Sequence, residues 1–318
     1  MPGDEAEPEP MLTADEVIAE YGPPVEEPES IVSNEDWVYR KADQMQRKMP
    51  GRTGRADRRT EGEVFDRSTL MTLHRLLTHG LLKSLDFPVA TGKEANVFRG
   101  TTPQGGYVAV KIFRINTATF KHVLEYVQGD ERFAGVTGDK RQLVHTWCQK
   151  EFRNLVRMHE ADVSVPEPLK AVANVLVMEY LGKKEGPWPR LKELPDLGDP
   201  ERLYRELVDD YVKAFNGAEL VHADLSEYNI MVEGADGPPE TFKPRIIDVG
   251  QAVLMTHPNA GQFLQRDLKN LTGFFRKKGV DAKPEDITSR LKRERGEAKE
   301  AFVRPGFEDE DDETEEDG

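Results

Sequence analysis

HADLSEYN at residues 222–229 and IIDVG at residues 246–250 carry the chemistry of this chain. An Asp in a turn, an Asn a few residues on and a second Asp at the end of an apolar strand form the spacing that phosphoryl transfer requires. Asp224 is placed to accept or orient the proton of an attacking hydroxyl or water. Asn229 and Asp248 supply oxygen atoms, the ligands that hard cations take, for the magnesium ions that neutralise a triphosphate. Turn chemistry by itself accounts for an Asp and an Asn in such a segment. Asp248, directly after Ile246 and Ile247, adds the second half of a site.

Upstream the remaining parts follow in order. FPVATGKEANVFRG, 87–100, and GYVAVKIF, 106–113, read as strands joined through Gly105 and Gly106. Lys111 in VAVKIF sits where a protein kinase places the Lys that binds the α and β phosphates. Glu151, on the same helical stripe as Trp147 and Leu155, is a carboxylate on a buried face and needs a cation. Lys111 is the cation available. Counting back from Val97, the three Gly positions of a phosphate-covering loop fall on Ala90, Gly92 and Ala95, so only the middle Gly remains, with Lys93 beside it. Ala in place of Gly makes φ > 0 costly and predicts a loop of its own conformation. In VMEYLG, Met178 would guard the back of an adenine pocket, and the Glu179 carbonyl and Leu181 amide would meet the adenine edge.

The chain has 318 residues and a net charge of −15, most of which is local. Residues 1–30 hold ten acidic residues and no Lys or Arg, residues 308–318 hold nine and again no base, and the body between them carries +4. Like charges repel, so both ends are expected to be disordered tails. Residues 40–59 carry a local charge of +6, which suits either a basic arm contacting RNA phosphates or a solvated linker drawn to the chain's own acidic tails. A single Cys, Cys148, excludes an internal disulfide. The start MPGDEAEPEP has neither a basic nor an apolar leader region, and no apolar run approaches a membrane span. A cytoplasmic protein free of membranes is expected.

A helix is predicted from an N-cap at Ser68 through Leu70, Leu73, Leu76 and Leu77 to Gly80. Residues 114–142 read as a long polar loop, which inside a compact domain is usually functional. Further helices are predicted over 143–158, over 201–216 with Asp199 as cap and Pro200 at its first turn, and through Phe263, Leu264, Leu268, Leu271, Phe274 and Phe275. The expected organisation is an acidic tail over 1–30, a basic linker or arm over 31–63, a helix and strand-rich N-lobe over 64–181, a truncated C-lobe over 182–290, and a charged segment with a second acidic tail over 291–318.

Taken together, TGKEANVF, EFRNL, LVMEYLG, HADLSEYN and IIDVGQAV resemble the RIO family of atypical serine/threonine protein kinases, its type one branch in particular. The resemblance spans roughly residues 64–280. It implies an α+β, bilobal protein-kinase-like fold with extra N-terminal helices, a small strand-rich N-lobe and a mostly helical C-lobe lacking the activation segment. It implies ATP and magnesium, or manganese in its place, as cofactors. Asp224 is then the proton acceptor, Asp248 both a metal ligand and a candidate aspartyl-phosphate, and Asn229 the second metal ligand. Gly92, Lys93, Ala95, Val97, Lys111, Met178, Glu179 and Leu181 are the nucleotide-binding positions. The implied role is ATP hydrolysis and phosphoryl transfer coupled to maturation of the small ribosomal subunit, by a monomer whose partners are the precursor subunit and its rRNA or assembly factors. One departure stands out: Gly250 occupies a position where the type one branch commonly has Ser. Two alternatives stay open, a small-molecule phosphotransferase of the antibiotic-kinase type and an ATP-binding assembly scaffold without turnover.

Overall fold

The computed structural model describes residues 65–115, 126–127, 129–133 and 139–302. The acidic tails and the basic arm expected at the two ends lie outside these residues, as does most of the long polar loop.

Helix α1 (Arg67–Thr78) begins two residues earlier than a cap at Ser68 suggested. Asp66 is the cap, its carboxylate accepting the Thr69 amide at 2.8 Å and the Ser68 hydroxyl at 3.0 Å. A carboxylate satisfies two donors where the hydroxyl would serve one, so Ser68 is drawn inside the helix. Leu70, Leu73 and Leu76 form the buried face. Gly80, at φ +74, then turns the chain in a conformation that glycine adopts without strain.

Five strands follow: β1 (Ser84–Thr91), β2 (Ala95–Thr101), β3 (Tyr107–Phe113), β4 (Pro168–Val172) and β5 (Val175–Glu179). They pair antiparallel in the order β1-β2-β3-β5-β4. β3 is central and is buried along all but its first residue. Strand alternation puts Phe98 on the sheet face opposite Lys111, and Phe98 meets Phe65 at the start of α1 with ring centroids 5.4 Å apart. At the same end Asn174 donates to the Thr69 hydroxyl and the Phe113 carbonyl, both at 2.8 Å. The apolar face of α1 is thus spent on the back of the sheet. β4 was not foreseen: PLKAV is short, opens with a proline and leaves its leucine, Leu169, exposed.

Helix α2 (Lys140–Glu160) lies between β3 and β4 in sequence and packs on the sheet through Leu143, Trp147, Leu155 and Met158, the predicted stripe. Beyond β5 a two-stranded ribbon, β6 (Gly182–Lys183) with β7 (Gly186–Pro187), opens the connector. Helix α3 (Pro200–Asn216) starts where expected, with Asp199 accepting the Arg202 amide at 2.9 Å and proline in the first turn.

Two short ribbons form the floor of the second lobe, β8 (Leu220–Val221) with β11 (Val253–Leu254) and β9 (Ile230–Glu233) with β10 (Lys243–Ile246). Helices α4 (Ala260–Lys277) and α5 (Pro284–Phe302) complete it. The charged segment expected from residue 291 therefore begins inside a helix. Ile287 and Leu291, each 1 % exposed, anchor α5, and two apolar residues in a run of charges are a weak periodic signal. One continuous cluster of buried side chains runs from Ala95 in the first lobe to Leu291 in the second.

Candidate active site

Because β3 is paired on both sides, its side chains have fixed neighbours. Lys111 stands opposite Val97 on β2, and Ala109, two residues along the same face, stands opposite Met178 on β5. Val97, Lys111 and Met178 therefore share one face of the sheet. Gly92 and Lys93 lie in the turn between β1 and β2 and Ala95 opens β2, the turn being closed by a hydrogen bond from the Gly92 amide to the Ala95 carbonyl at 2.9 Å. Neither Ala90, Gly92 nor Ala95 takes a positive φ, so the turn dispenses with the backbone conformation that glycines would serve.

The Lys111 ammonium lies 2.7 Å from both Glu151 oxygens and 2.9 Å from Asp248 Oδ1. Glu151 is 1 % exposed, whereas the Asp248 side chain is 53 % exposed. Burial pushes the Glu151 carboxyl up to about 7 against the pull of Lys111. Burial also works to lower Lys111, but the charges of Asp248 and Glu151 outweigh it and hold the ammonium well above the ordinary lysine range. The same ammonium holds Asp248 below the ordinary carboxylate value. A single cation thus serves a buried and an open carboxylate, and only the open one is accessible from outside.

In the second lobe, the turn between β8 and β9 presents Asp224 and Asn229. The Asn229 side-chain amide donates to the Asp224 carbonyl at 2.9 Å and to Asp224 Oδ2 at 3.1 Å. Its carbonyl oxygen is therefore the atom turned away from Asp224. The Ile247 amide donates to the Asn229 backbone carbonyl at 2.9 Å, which brings the residue before Asp248 against the turn. His222 is buried between them: Nδ1 accepts the Asp224 amide at 3.3 Å, and Nε2 stands 3.2 Å from the Ile247 carbonyl. A carbonyl only accepts, so the imidazole carries its proton on Nε2. Burial raises the Asp224 carboxyl above the ordinary 3.8, and the charge of Asp248 adds to the rise.

Two strained residues flank this arrangement, Ala223 at φ 65 and Asp248 at φ 60. Left-handed backbone at a non-glycine residue costs on the order of 1–2 kcal/mol and persists where the surroundings over-determine it. For Ala223 the determinant is Asp267 on α4, which sequence reasoning missed. Its carboxylate accepts the amides of Ala223 and Leu225 at 2.8 and 2.9 Å and the Tyr211 hydroxyl at 2.9 Å. Arg266 donates to the Ala223 carbonyl from the neighbouring position. The signal was present, since Asp267 sits four residues from both Phe263 and Leu271 on a buried stripe, as Glu151 does between Trp147 and Leu155.

Glu179 and Leu181 lie where β5 passes into the connector. The Leu181 carbonyl accepts the Trp188 amide at 2.9 Å. The Glu179 side chain has a second use: Arg245 on β10 pairs with it at 2.6 Å and with Glu233 at 3.0 Å, tying the connector to the second lobe. Farther along, the Lys192 amide donates to the Glu227 carbonyl at 3.1 Å, so the connector also touches the Asp224 turn.

Oxygen donors suit magnesium, and those present fit it: the open Asp248 carboxylate and the free side of the Asn229 amide. Among the described residues no group of three or more His, Cys, Asp or Glu could hold a metal unaided. A cation here would complete its shell with phosphate oxygens and water.

A Lys on the central strand of a five-stranded antiparallel lobe, anchored by a helix Glu and facing an Asp–Asn turn across a connector, defines the bilobal protein-kinase-like fold. Among solved structures, the Rio2 kinase of Chaetomium thermophilum, crystallised as an ADP/Mg2+-phosphoaspartate complex, matches with a TM-score of 0.54 at 22 % identity, over 69 % of this chain and 65 % of that one. Residues 96–287 match the RIO domain. The RIO-type serine/threonine-protein kinase Rio1 of Haloferax volcanii is 42 % identical over 224 residues, 70 % of this chain and 74 % of that protein. Rio1 of Methanocaldococcus jannaschii is 41 % identical over 231 residues, 73 % and 76 % of the two chains. The human serine/threonine-protein kinase RIO1 is 38 % identical over 229 residues, 71 % of this chain and 39 % of the human protein. The chain belongs to the RIO family of atypical serine/threonine kinases, on its type one branch.

Proposed function

We propose that this protein binds ATP with magnesium between its lobes, transfers or hydrolyses the γ-phosphoryl group, and uses that turnover in maturation of the small ribosomal subunit. The observation that supports phosphoryl transfer most directly is the Lys111 ammonium shared by Glu151 and Asp248. Glu151 fixes the ammonium from the buried side, so it is poised to meet phosphate oxygens without reorganising. Asp224 holds the acceptor hydroxyl or water and takes its proton, its carboxylate oriented by Asn229. Asp248 and the Asn229 carbonyl oxygen would hold magnesium, which supplies neutralisation of the charge that grows on the β and γ oxygens.

Asp248 is also a candidate acceptor, because its carboxylate is open. A carboxylate oxygen attacking the γ-phosphorus would form an acyl phosphate as the bond to the ADP oxygen breaks. The phosphoaspartate named for the Rio2 relative is in keeping with this. The ribosomal destination is proposed from the family resemblance and from the basic arm at 40–59.

Two measurements test the proposal. Asp224→Ala should abolish hydrolysis while ATP still binds, and unchanged turnover would sink the assignment. Mass spectrometry after incubation with ATP and magnesium, under conditions that preserve acyl phosphates, should find the modification on Asp248. Modified Ser or Thr alone would indicate a conventional protein kinase, and a chain that binds ATP without single-turnover hydrolysis would be a scaffold.

A further inference from the structure

The turn that begins at Asp248 is held from one side by α2. Lys150, fully buried, donates to the Gly250 carbonyl at 2.9 Å and to the Ala252 carbonyl. Asn154, one turn along the helix and also fully buried, donates to the Val249 and Ala252 carbonyls, both at 2.9 Å. Glu151, between them in sequence, reaches the same place through Lys111, which bonds Asp248 itself. Residues 150, 151 and 154 lie on one helical face, and that face grips the metal turn by its carbonyls while gripping the phosphate Lys by its carboxylate.

Two features say that the grip serves position and not cohesion alone. The side-chain oxygen of Asn154 is buried with no hydrogen-bond partner, so the amide is committed entirely to donating into the turn. An unsatisfied buried acceptor is a standing cost of about 1–3 kcal/mol, which an aliphatic residue of the same size would avoid. The other feature is the left-handed backbone of Asp248 at the head of the turn, a conformation that relaxes unless the following residues are restrained. Packing is also tight at the contact: a Cβ on Gly250 would stand 3.0 Å from Glu151 Oε2.

We propose that Lys150 and Asn154 are positioning residues for Asp248, making α2, the Lys111–Glu151 pair and the metal turn one rigid body. This rests on Asp248 being a metal ligand, as proposed above. Metal affinity then depends on two side chains that never touch the metal. Nucleotide contacts through Lys111 do not depend on them. A helix that swung away would dismantle the metal turn together with the Lys–Glu pair, whereas loss of the Lys150 or Asn154 side chain frees the turn alone.

The test uses the full chain, ADP and Mn2+ as a paramagnetic cation, followed by electron paramagnetic resonance, with metal-free ADP affinity measured by calorimetry. In Asn154→Leu and Lys150→Met, Mn2+ affinity in the ADP complex should fall about tenfold or more, the scale of changes that disorient a metal ligand. Metal-free ADP affinity should stay within about twofold of wild type. Unchanged Mn2+ affinity in the folded variants would overturn the proposal, and so would an equal loss of both affinities. Failure of both variants to fold would also overturn it, since the contacts would then be structural. Should Lys150→Met alone fail to fold, Asn154→Leu decides. A wild-type chain that binds no ADP at all would instead remove the proposed function.

Discussion

Lys111 Nζ lies 2.7 Å from each oxygen of the Glu151 carboxylate, in a site where Glu151 is closed to solvent. Removing the cation with Lys111→Met strands a buried carboxylate, a change that costs about 3–5 kcal/mol. Burial already holds Glu151 at about 7, so without its partner the group takes up a proton near neutrality. The folded variant then binds a proton that the unfolded chain, titrating near 4.5, has lost. Its stability therefore falls as pH rises through that window and recovers in mild acid. Urea unfolding of wild type and variant across this range measures the difference, and equal stability at alkaline pH would refute the pairing.

Asp267 secures the backbone on both sides of Asp224, so its charge supports the geometry of the proposed catalytic turn. Asp267→Asn keeps the shape but replaces one acceptor oxygen with a donor that faces an amide or the Tyr211 hydroxyl. A lost hydrogen bond to a charged group is worth about 1.5–3 kcal/mol. The expected result is a fall in kcat of about ten- to a hundredfold with KM for ATP little changed. A rise in KM alone would place the defect in binding.

Lys150 is driven down from 10.5 to about 7 by burial. Between these values the unfolded chain holds a proton that the folded chain does not, so this residue makes stability rise with pH, and below about 7 its contribution is flat. Lys150→Met should remove that slope. At its steepest the difference approaches about 1.4 kcal/mol per pH unit. Parallel stability curves for the two proteins from neutral to alkaline pH would show that Lys150 keeps its proton.

Gly250 has room for a Cβ only if Glu151 yields, the gap to Oε2 being 3.0 Å and that to Trp147 3.5 Å. Gly250→Ala should raise KM for ATP a few-fold by displacing the Glu151 carboxylate. Gly250→Ser should cost less, because its hydroxyl can donate to the carboxylate it crowds, a contribution of about 1 kcal/mol. Steady-state kinetics of the pair distinguish the two effects, and identical KM values for Ala and Ser would assign the hydroxyl no role.

The lobes and most helices were legible because their signals are local. Leu143, Trp147, Leu155 and Met158 repeat at helical spacing, and Asp199–Pro200 with Gly217 bracket α3 by capping chemistry. Errors fell where local signals compete or fade. Ser68 and Asp66 are both good caps, and only the reach of the carboxylate decides between them. β4 and α5 carry too few apolar residues to announce a period, and they exist because β5 and α3 offer surfaces to cover them.

By itself the sequence determined the inventory of chemistry, with Lys111, Glu151, Asp224, Asn229 and Asp248 each marked by residue type and spacing. Those marks survive in one dimension because each residue sits at a fixed offset within a single strand, helix or turn. The tertiary structure decided what holds them: Asp267 under the Asp224 turn, Arg245 across the connector, and Lys150 with Asn154 on the Asp248 turn. Such contacts join residues tens of positions apart, and whether a polar side chain on an apolar stripe finds a carbonyl, an amide or water is settled only when another element closes over it.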